Sequence, residues 1–462
     1  MNGPRSPLFR KAQHIHFVGI GGSGMSGIAE VLLNLNFTVS GSDLQPGAVT
    51  ERLEQLGARI AAGHAPANIA GADVVVVSSA VGLDNVEVGE ARRRKVPVIP
   101  RAEMLAELMR MKYGVAIAGS HGKTSTTAMV AQVLSGAGLD PTIVIGGRLN
   151  ILGSSAKLGK GDLMVAEADE SDGSFLKLTP TIAVVTNVDQ EHLSHYGSME
   201  ALSDAFTGFL NKVPFYGTGI ICLDDEQVQR ILPRLTRTVL TYGLGGQADL
   251  VGTNLELREF SSRFEVIFRG RWLGDVRLRV PGRHSVCNAL AAIGVGLEFD
   301  LKFDSIARHL GEFSGADRRF QLKGTANDVL VIDDYGHHPT EIRATLSAAR
   351  EGWGRRRVVV FQPHRYTRVR DLMEEFARSF AGADVLIVME IYRAGEEPIS
   401  GITGGALAAA IRDQGHQDVT HVRDLSEAVR AVRERVRPGD MLMTLGAGDV
   451  WKVSDLFLKE AA

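Results

Sequence analysis

The chain has 462 residues, room for about three domains of ordinary size, each able to bury its own core. With 51 basic against 54 acidic residues the net charge is −3, so no bulk field draws the protein to nucleic acid or to an anionic membrane, and neither is an expected partner. Cys222 and Cys287 fit no metal spacing and read as reduced, buried thiols. The N-terminal stretch has no apolar segment of signal-peptide length, and no run approaches a membrane span, so a cytoplasmic protein is expected.

In chain order, 14–20 (HIHFVGI) reads as a strand and 24–34 as a helix, with the turn GIGGSG between them. The turn matches GxGxxG, and Asp43 ends the next strand where a ribose-binding acid belongs. Gly21, Gly22, Ser23 and Gly24 are therefore candidates for a diphosphate, with Asp43 beside them. Close helix-to-strand packing is the other use of such glycines. Strands follow at 73–79 and 96–99, and the helical RAEMLAELMRM closes the unit. Ser79 falls at a strand's carboxyl end, where ligands of open α/β sheets collect, although loop polarity explains it equally well.

A second glycine-rich turn, GSHGKTSTT at 119–127, lies between the apolar 115–118 and a helical segment. It is a phosphate cradle. Gly119, Ser120, His121, Gly122, Lys123, Thr124 and Ser125 bring backbone N–H groups and one ammonium to an anion, and Thr124 offers a hydroxyl to Mg²⁺. The spacing is shorter than the usual P-loop, with Ser120 and His121 alone between the glycines. Further strands at 141–145, 162–167 and 181–186 end in AEADESDGSF and NVDQEHLSHYG. In a parallel sheet these ends share the phosphate edge, which makes Glu167 and His192 candidate metal ligands. From 217 to 280 the segments GIICLDD, SRFEVIF and VRLRV suggest antiparallel additions to the core. Asn288 could read an adenine edge or cap the helix it begins.

The βα alternation resumes near Ser314, with strands at 329–333, 357–361, 384–389 and 441–445. Their ends carry Asp334, Tyr335, His337 and His338, then His364, Arg365 and Arg368. Guanidinium groups there match an anionic ligand such as a carboxylate. The expected fold is α/β in three domains: a Rossmann-like one at 1–106, a central P-loop ATPase-like one with a mostly parallel sheet at 107–313, and a Rossmann-like one at 314–462.

The strings HFVGIGGSGMSGIAEVL, AGSHGKTSTTAMV, VAEADESDGSFL, TNVDQEHLSHYGS, GRHSVCNALAA, DRRFQ, IDDYGHHPTEI, FQPHRYTR and GAGD, in this order, resemble the Mur ligases of peptidoglycan synthesis. The resemblance spans nearly the whole chain and is strongest to the branch that couples UDP-N-acetylmuramate to L-alanine. It implies an ATP- and Mg²⁺-dependent amide ligase working through an acyl phosphate, as a monomer or weak dimer. It also implies residue roles. Lys123, Glu167, His192 and Arg319 would be catalytic, with Thr124, Glu167 and His192 on metal. Asn288, Arg319 and Asp334 would join the 119–125 turn around ATP. Gly21 to Gly24, with Asp43 and Ser79, would hold the UDP sugar, and Tyr335, His364, Arg365 and Arg368 the amino acid. Two departures stand out: Ser120 where relatives often have Thr, and Ser285 where an Asn is common. Rival readings are a ligase that attaches a preformed peptide to the same sugar nucleotide, and a nicotinamide-dependent oxidoreductase built on the GxGxxG turn.

Overall fold

A computed structural model describes residues 12–78, 81–82, 84–145 and 156–461. The chain divides into two compact units. The first comprises 1–253, 265–275 and 287–310; the second comprises 254–264, 276–286 and 311–462. The architecture is α/β with three sheets.

In the first unit, strands β1 (His14–Val18), β2 (Thr38–Asp43), β3 (Arg59–Ala62), β4 (Val74–Val77) and β5 (Val98–Pro100) form a parallel sheet in the order β3-β2-β1-β4-β5. The order reverses direction between β1 and β4, the place where an open α/β sheet leaves a crevice at its carboxyl edge. Such strands are buried on both faces and read as continuous apolar runs, as VVVV of β4 does.

A ten-stranded sheet follows: β6 (Tyr113–Ala118), β7 (Thr142–Val144), β8 (Ala156–Lys157), β9 (Leu163–Glu167), β10 (Ile182–Val185), β11 (Thr218–Cys222), β12 (Val239–Gly243), β13 (Leu250–Arg258), β14 (Ser261–Phe268) and β15 (Arg271–Leu278). Strand β6 lies between β10 and β9, so the phosphate turn and both acidic strand ends leave the same edge. The antiparallel reading of 217–280 holds only in part. β11 pairs parallel to β10, β12 to β11, and the start of β13 to β12. The reason is burial: TGIIC of β11 is buried at every position, which marks a central parallel strand, whereas β14 and β15 alternate. Connections of two residues, 259–260 and 269–270, join β13 to β14 and β14 to β15, as only antiparallel neighbours allow.

The second unit holds a six-stranded sheet of β16 (Gln321–Ala326), β17 (Val329–Asp334), β18 (Arg357–Phe361), β19 (Val385–Val388), β20 (Val419–His421) and β21 (Met441–Leu445), ordered β16-β17-β21-β18-β19-β20. All pairs are parallel except β16 with β17 at the edge. Phe361, Phe376 and Phe380 fill one face, while Val358, Val360 and Leu442 belong to the core of the other. Each such side chain contributes about 1.5–3 kcal/mol when fully buried. That leaves the strand ends rigidly placed for chemistry. No helix among the described residues is long and apolar enough to cross a membrane.

Candidate active site

The turn after β6 runs into the helix Lys123–Gly136. Gly119 takes φ +133° and Gly122 φ +80°, in the left-handed region that side chains disfavour. A Cβ at Gly119 would sit 2.1 Å from Thr186 Oγ1, and one at Gly122 would sit 2.7 Å from Asn288 Oδ1, so both positions need glycine. Asn288 thus stands against the cradle rather than remote from it. No side chain caps this helix, and its first N–H groups remain available to an anion.

The end of β10 fixes the turn. Asn187 Oδ1 accepts from the His121 N–H at 2.8 Å, Thr186 Oγ1 donates to the His121 carbonyl at 2.6 Å, and His121 Nε2 lies 2.8 Å from Asp189 Oδ2. Lys123 Nζ donates to the carbonyls of Gly119 (2.6 Å) and Ser120 (3.1 Å) and to Glu170 Oε1 (2.8 Å). Burial works against this ammonium, but the Glu170 carboxylate, with Glu167 and Glu191, holds it above the ordinary lysine value. For Glu170 burial dominates and pushes the carboxyl above the usual range, with Lys123 pulling the other way.

Thr124 Oγ1 donates to Glu167 Oε2 at 3.0 Å, which brings two of the predicted metal ligands together. His192, the third, lies with Glu170 and Glu191: its Nε2 is 3.6 Å from Glu170 Oε1 and 3.8 Å from Glu191 Oε2. One ligand atom from each of these three falls within 4.8 Å of the others. Glu170 Oε2 is buried with no hydrogen-bond partner. A buried carboxylate oxygen left without a donor, among oxygen-rich neighbours, fits a hard divalent cation. Glu170 and Glu191 are thus site residues that the sequence reading did not single out; their only signal was the acid density of the two strand ends. Ser125 is half-buried in the first helical turn.

At the first sheet, Gly21 N–H donates to Asp43 Oδ2 at 2.8 Å, and a Cβ on Gly21 would clash there. Gly22 is the N-cap of the helix Ser23–Asn34, again without a side-chain cap. Gly24 lies against the Arg101 guanidinium, whose Nη2 is 3.3 Å from Asp169 Oδ2. Arg101 therefore links this turn to the loop that carries Glu170. Its sequence context, one residue in a helix start, gave no hint of that. Ser79 lies outside the described residues.

The second unit gathers its own cluster. Arg319 Nη1 is 3.2 Å from Glu341 Oε1, and its guanidinium lies 5.2 Å from the centre of the Tyr335 ring. Asp334 accepts from the N–H groups of Phe320 and Gly336, both at 2.7 Å, and from Thr345 Oγ1 at 3.3 Å. Burial pushes its carboxyl up to about 6 against the pull of Arg319 and those N–H groups. Its main visible work is to hold this loop, with lone pairs to spare. His364 stacks on Tyr392 at 5.5 Å, and Arg368 Nη1 reaches its Nδ1 at 3.3 Å. Burial, then His337, Arg368 and Arg365, depress the His364 ring to about 3, so it is neutral at ordinary pH. Arg365 is exposed with φ 71° and ψ 133°, a sparsely populated conformation for a residue with a side chain. The cluster therefore offers guanidinium groups beside a neutral imidazole, suited to a small carboxylate.

Three consecutive segments of the chain match known family models. Residues 14–113 match the Mur ligase family catalytic domain, 117–296 the Mur ligase middle domain and 318–448 the Mur ligase glutamate ligase domain. A UDP-N-acetylmuramate--L-alanine ligase of Geobacter sp. (strain M21) is 56% identical over 452 residues, 98% of each chain. One of Anaeromyxobacter dehalogenans is 59% identical over 444 residues, covering 96% of this chain and 97% of its own. The crystal structure of the UDP-N-acetylmuramate-alanine ligase of Thermotoga maritima superposes with a TM-score of 0.81 at 29% identity, covering 97% of this chain and 98% of that one. With its Rossmann-like domains flanking a central ATPase-like domain, the chain belongs to the Mur ligase family.

Proposed function

We infer that this protein is an ATP-dependent ligase that forms the amide bond between the lactyl carboxylate of UDP-N-acetylmuramate and L-alanine, a step in peptidoglycan precursor synthesis. The observation that carries this reading is the uncapped helix N-terminus with Lys123, set beside Glu167 and the orphaned oxygen of Glu170. Relatives at over half identity across nearly the full length bear the corresponding name. In this reading 1–106 takes the UDP sugar, 107–313 ATP and metal, and 314–462 the amino acid.

A carboxylate attacking the γ-phosphate brings anions together, so charge must be neutralised and the atoms held in line. The N–H groups of 119–125 and Lys123 receive the phosphates, and Lys123 exchanges its carbonyl and Glu170 contacts for them. Thr124, Glu167, Glu170, Glu191 and His192 would hold Mg²⁺, which when bound screens the phosphate oxygens from the attacking carboxylate. Asn288 and Asp334 accept the nucleoside, Arg319 approaches the γ-phosphate, and Tyr335, His364, Arg365 and Arg368 orient the amino acid by its carboxylate. The turn Gly21–Gly24, with Asp43 and Ser79, is assigned to the UDP sugar. The carboxylate oxygen bonds to phosphorus and ADP leaves; the free amine then attacks the acyl carbon, loses a proton, and phosphate departs.

The test is phosphate release from ATP and Mg²⁺. It should require both UDP-N-acetylmuramate and L-alanine, and release that ignores either co-substrate would overturn the reading. A nicotinamide oxidoreductase would bind NADH and leave the P-loop and its carboxylates idle.

A further inference from the structure

The first sheet contains a buried polar network that the ligation chemistry does not use. Glu87, in the first turn of the helix Val86–Arg93, is fully buried. It accepts from the Ala65 N–H (3.1 Å), Asn68 Nδ2 (2.6 Å), His16 Nε2 (3.3 Å) and Ser42 Oγ (2.6 Å). Burial alone would raise this carboxyl; the bonds from His16, Ser42, Asn68 and Ala65 hold it down at about 2. An ionised carboxylate only accepts, so Ser42 spends its single hydroxyl proton on Glu87.

That assignment propagates to His64. Its Nδ1 lies 2.9 Å from Ser42 Oγ and 3.7 Å from Glu87 Oε2. Both are acceptors towards the ring, so the proton of the neutral imidazole sits on Nδ1 and Nε2 presents a lone pair. Among the described residues no hydrogen bond reaches that Nε2. His64 follows the carboxyl end of β3, the edge where ligands of such sheets bind. In the order β3-β2-β1, the glycine turn stands at β1, Asp43 at the end of β2 and His64 beyond β3. Neighbouring strands are ~4.8 Å apart, so about 10 Å separates the turn's strand from that of His64, a span suited to a ribose and its base.

We propose that His64 accepts the imide N–H of the nucleobase, its tautomer fixed by Ser42 and Glu87, and that it selects uridine over cytidine. This rests on the reading that the first domain holds a uridine diphosphate sugar. Uracil N3 carries a proton for the Nε2 lone pair. Cytosine N3 is itself an acceptor, so two lone pairs would oppose each other, and a site built for a hydrogen bond rejects the ligand that lacks it.

The experiment is calorimetric titration of the full-length protein with UDP, CDP and 3-methyluridine diphosphate at pH 8. Wild type should prefer UDP over both others by about 100-fold. His64→Leu should lose the UDP-over-CDP preference, and Ser42→Ala should reduce it by about tenfold. Equal binding of UDP and CDP by wild type would overturn the inference and leave the ligase reading intact; binding of neither would overturn the uridine site and the inference together. A preference that survives His64→Leu overturns the role of His64, and one that survives Ser42→Ala overturns the relay. Should His64→Leu fail to fold, the methylated ligand decides: 3-methyluridine diphosphate binding wild type as tightly as UDP refutes the contact.

Discussion

Replacing Lys123 by Ala should destabilise the fold as well as silence it. The Lys123–Glu170 pair is 2.8 Å long, with side-chain exposures of 15% and 1%. At an effective dielectric of about 20, Coulomb's law gives roughly 6 kcal/mol of attraction at that distance, before the cost of removing both charges from water. Removing one partner strands the other in a dry site, which costs about 3–5 kcal/mol. The sign with pH follows. In the variant Glu170 keeps the burial that raises its carboxyl and loses the ammonium that opposes it, so its folded pKa lies well above an unfolded value of about 4.3. Wild-type Glu170 is itself raised, to about 7, so the penalty relative to wild type opens above that value and grows by about 1.4 kcal/mol per unit as pH rises, until the folded pKa of the variant is reached. Lys123→Ala should therefore lose more stability relative to wild type at pH 8 than at pH 5.5, by about 1 kcal/mol. Glu170→Gln added to it should restore most of the difference at pH 8. Urea unfolding at both pH values, following the transition of the ATP-site domain, measures all three proteins. A wild-type midpoint for Lys123→Ala at pH 8, or no recovery in the double variant, would refute the buried-pair argument.

Other expectations are direct. Lys123→Ala should lower kcat by at least about 100-fold, as removal of a preorganised charge stabiliser does, and unchanged turnover would take the turn out of the mechanism. Glu170→Gln, which removes the carboxylate charge and one of its oxygen ligands, should raise the Mg²⁺ concentration needed for half-maximal rate, read from a metal titration at saturating ATP. Arg365→Ala and Arg368→Ala should each raise the KM for L-alanine by about 10–100-fold and leave that for ATP nearly unchanged; the reverse pattern rejects a carboxylate clamp. Arg365→Gly should show the same KM defect yet gain about 1 kcal/mol in stability, because glycine relieves the positive φ.

Much of this was legible in the residues. The strand-turn-helix around Lys123 was, because an apolar run, glycines and a helical pattern follow one another within a few residues, and the partnership of Thr124 with Glu167 follows from the helix after β6 starting beside the end of the neighbouring β9. Strand pairing at β11 and β12 was not legible, since hydrophobic periodicity fixes which faces are buried but not which way the neighbour runs. Glu170, Glu191 and Arg101 were hidden for a related reason. Sequence shows a crowd of acids at a strand end, and only the fold selects the one whose oxygen is buried without a donor. Glu87 was more hidden still, because an isolated glutamate at a helix start reads as a favourable first-turn charge, and its bonds come from His16, Ser42 and Asn68, which are remote in sequence.

The central claim is that the lactyl carboxylate attacks ATP before the amine arrives. It is tested most directly with UDP-N-acetylmuramate labelled with ¹⁸O in that carboxylate. Turnover with ATP, Mg²⁺ and L-alanine should deliver one ¹⁸O atom into each inorganic phosphate released, detected by mass spectrometry, because the bridging oxygen of the acyl phosphate leaves with phosphorus. Phosphate free of label, formed in step with the amide, would contradict the account.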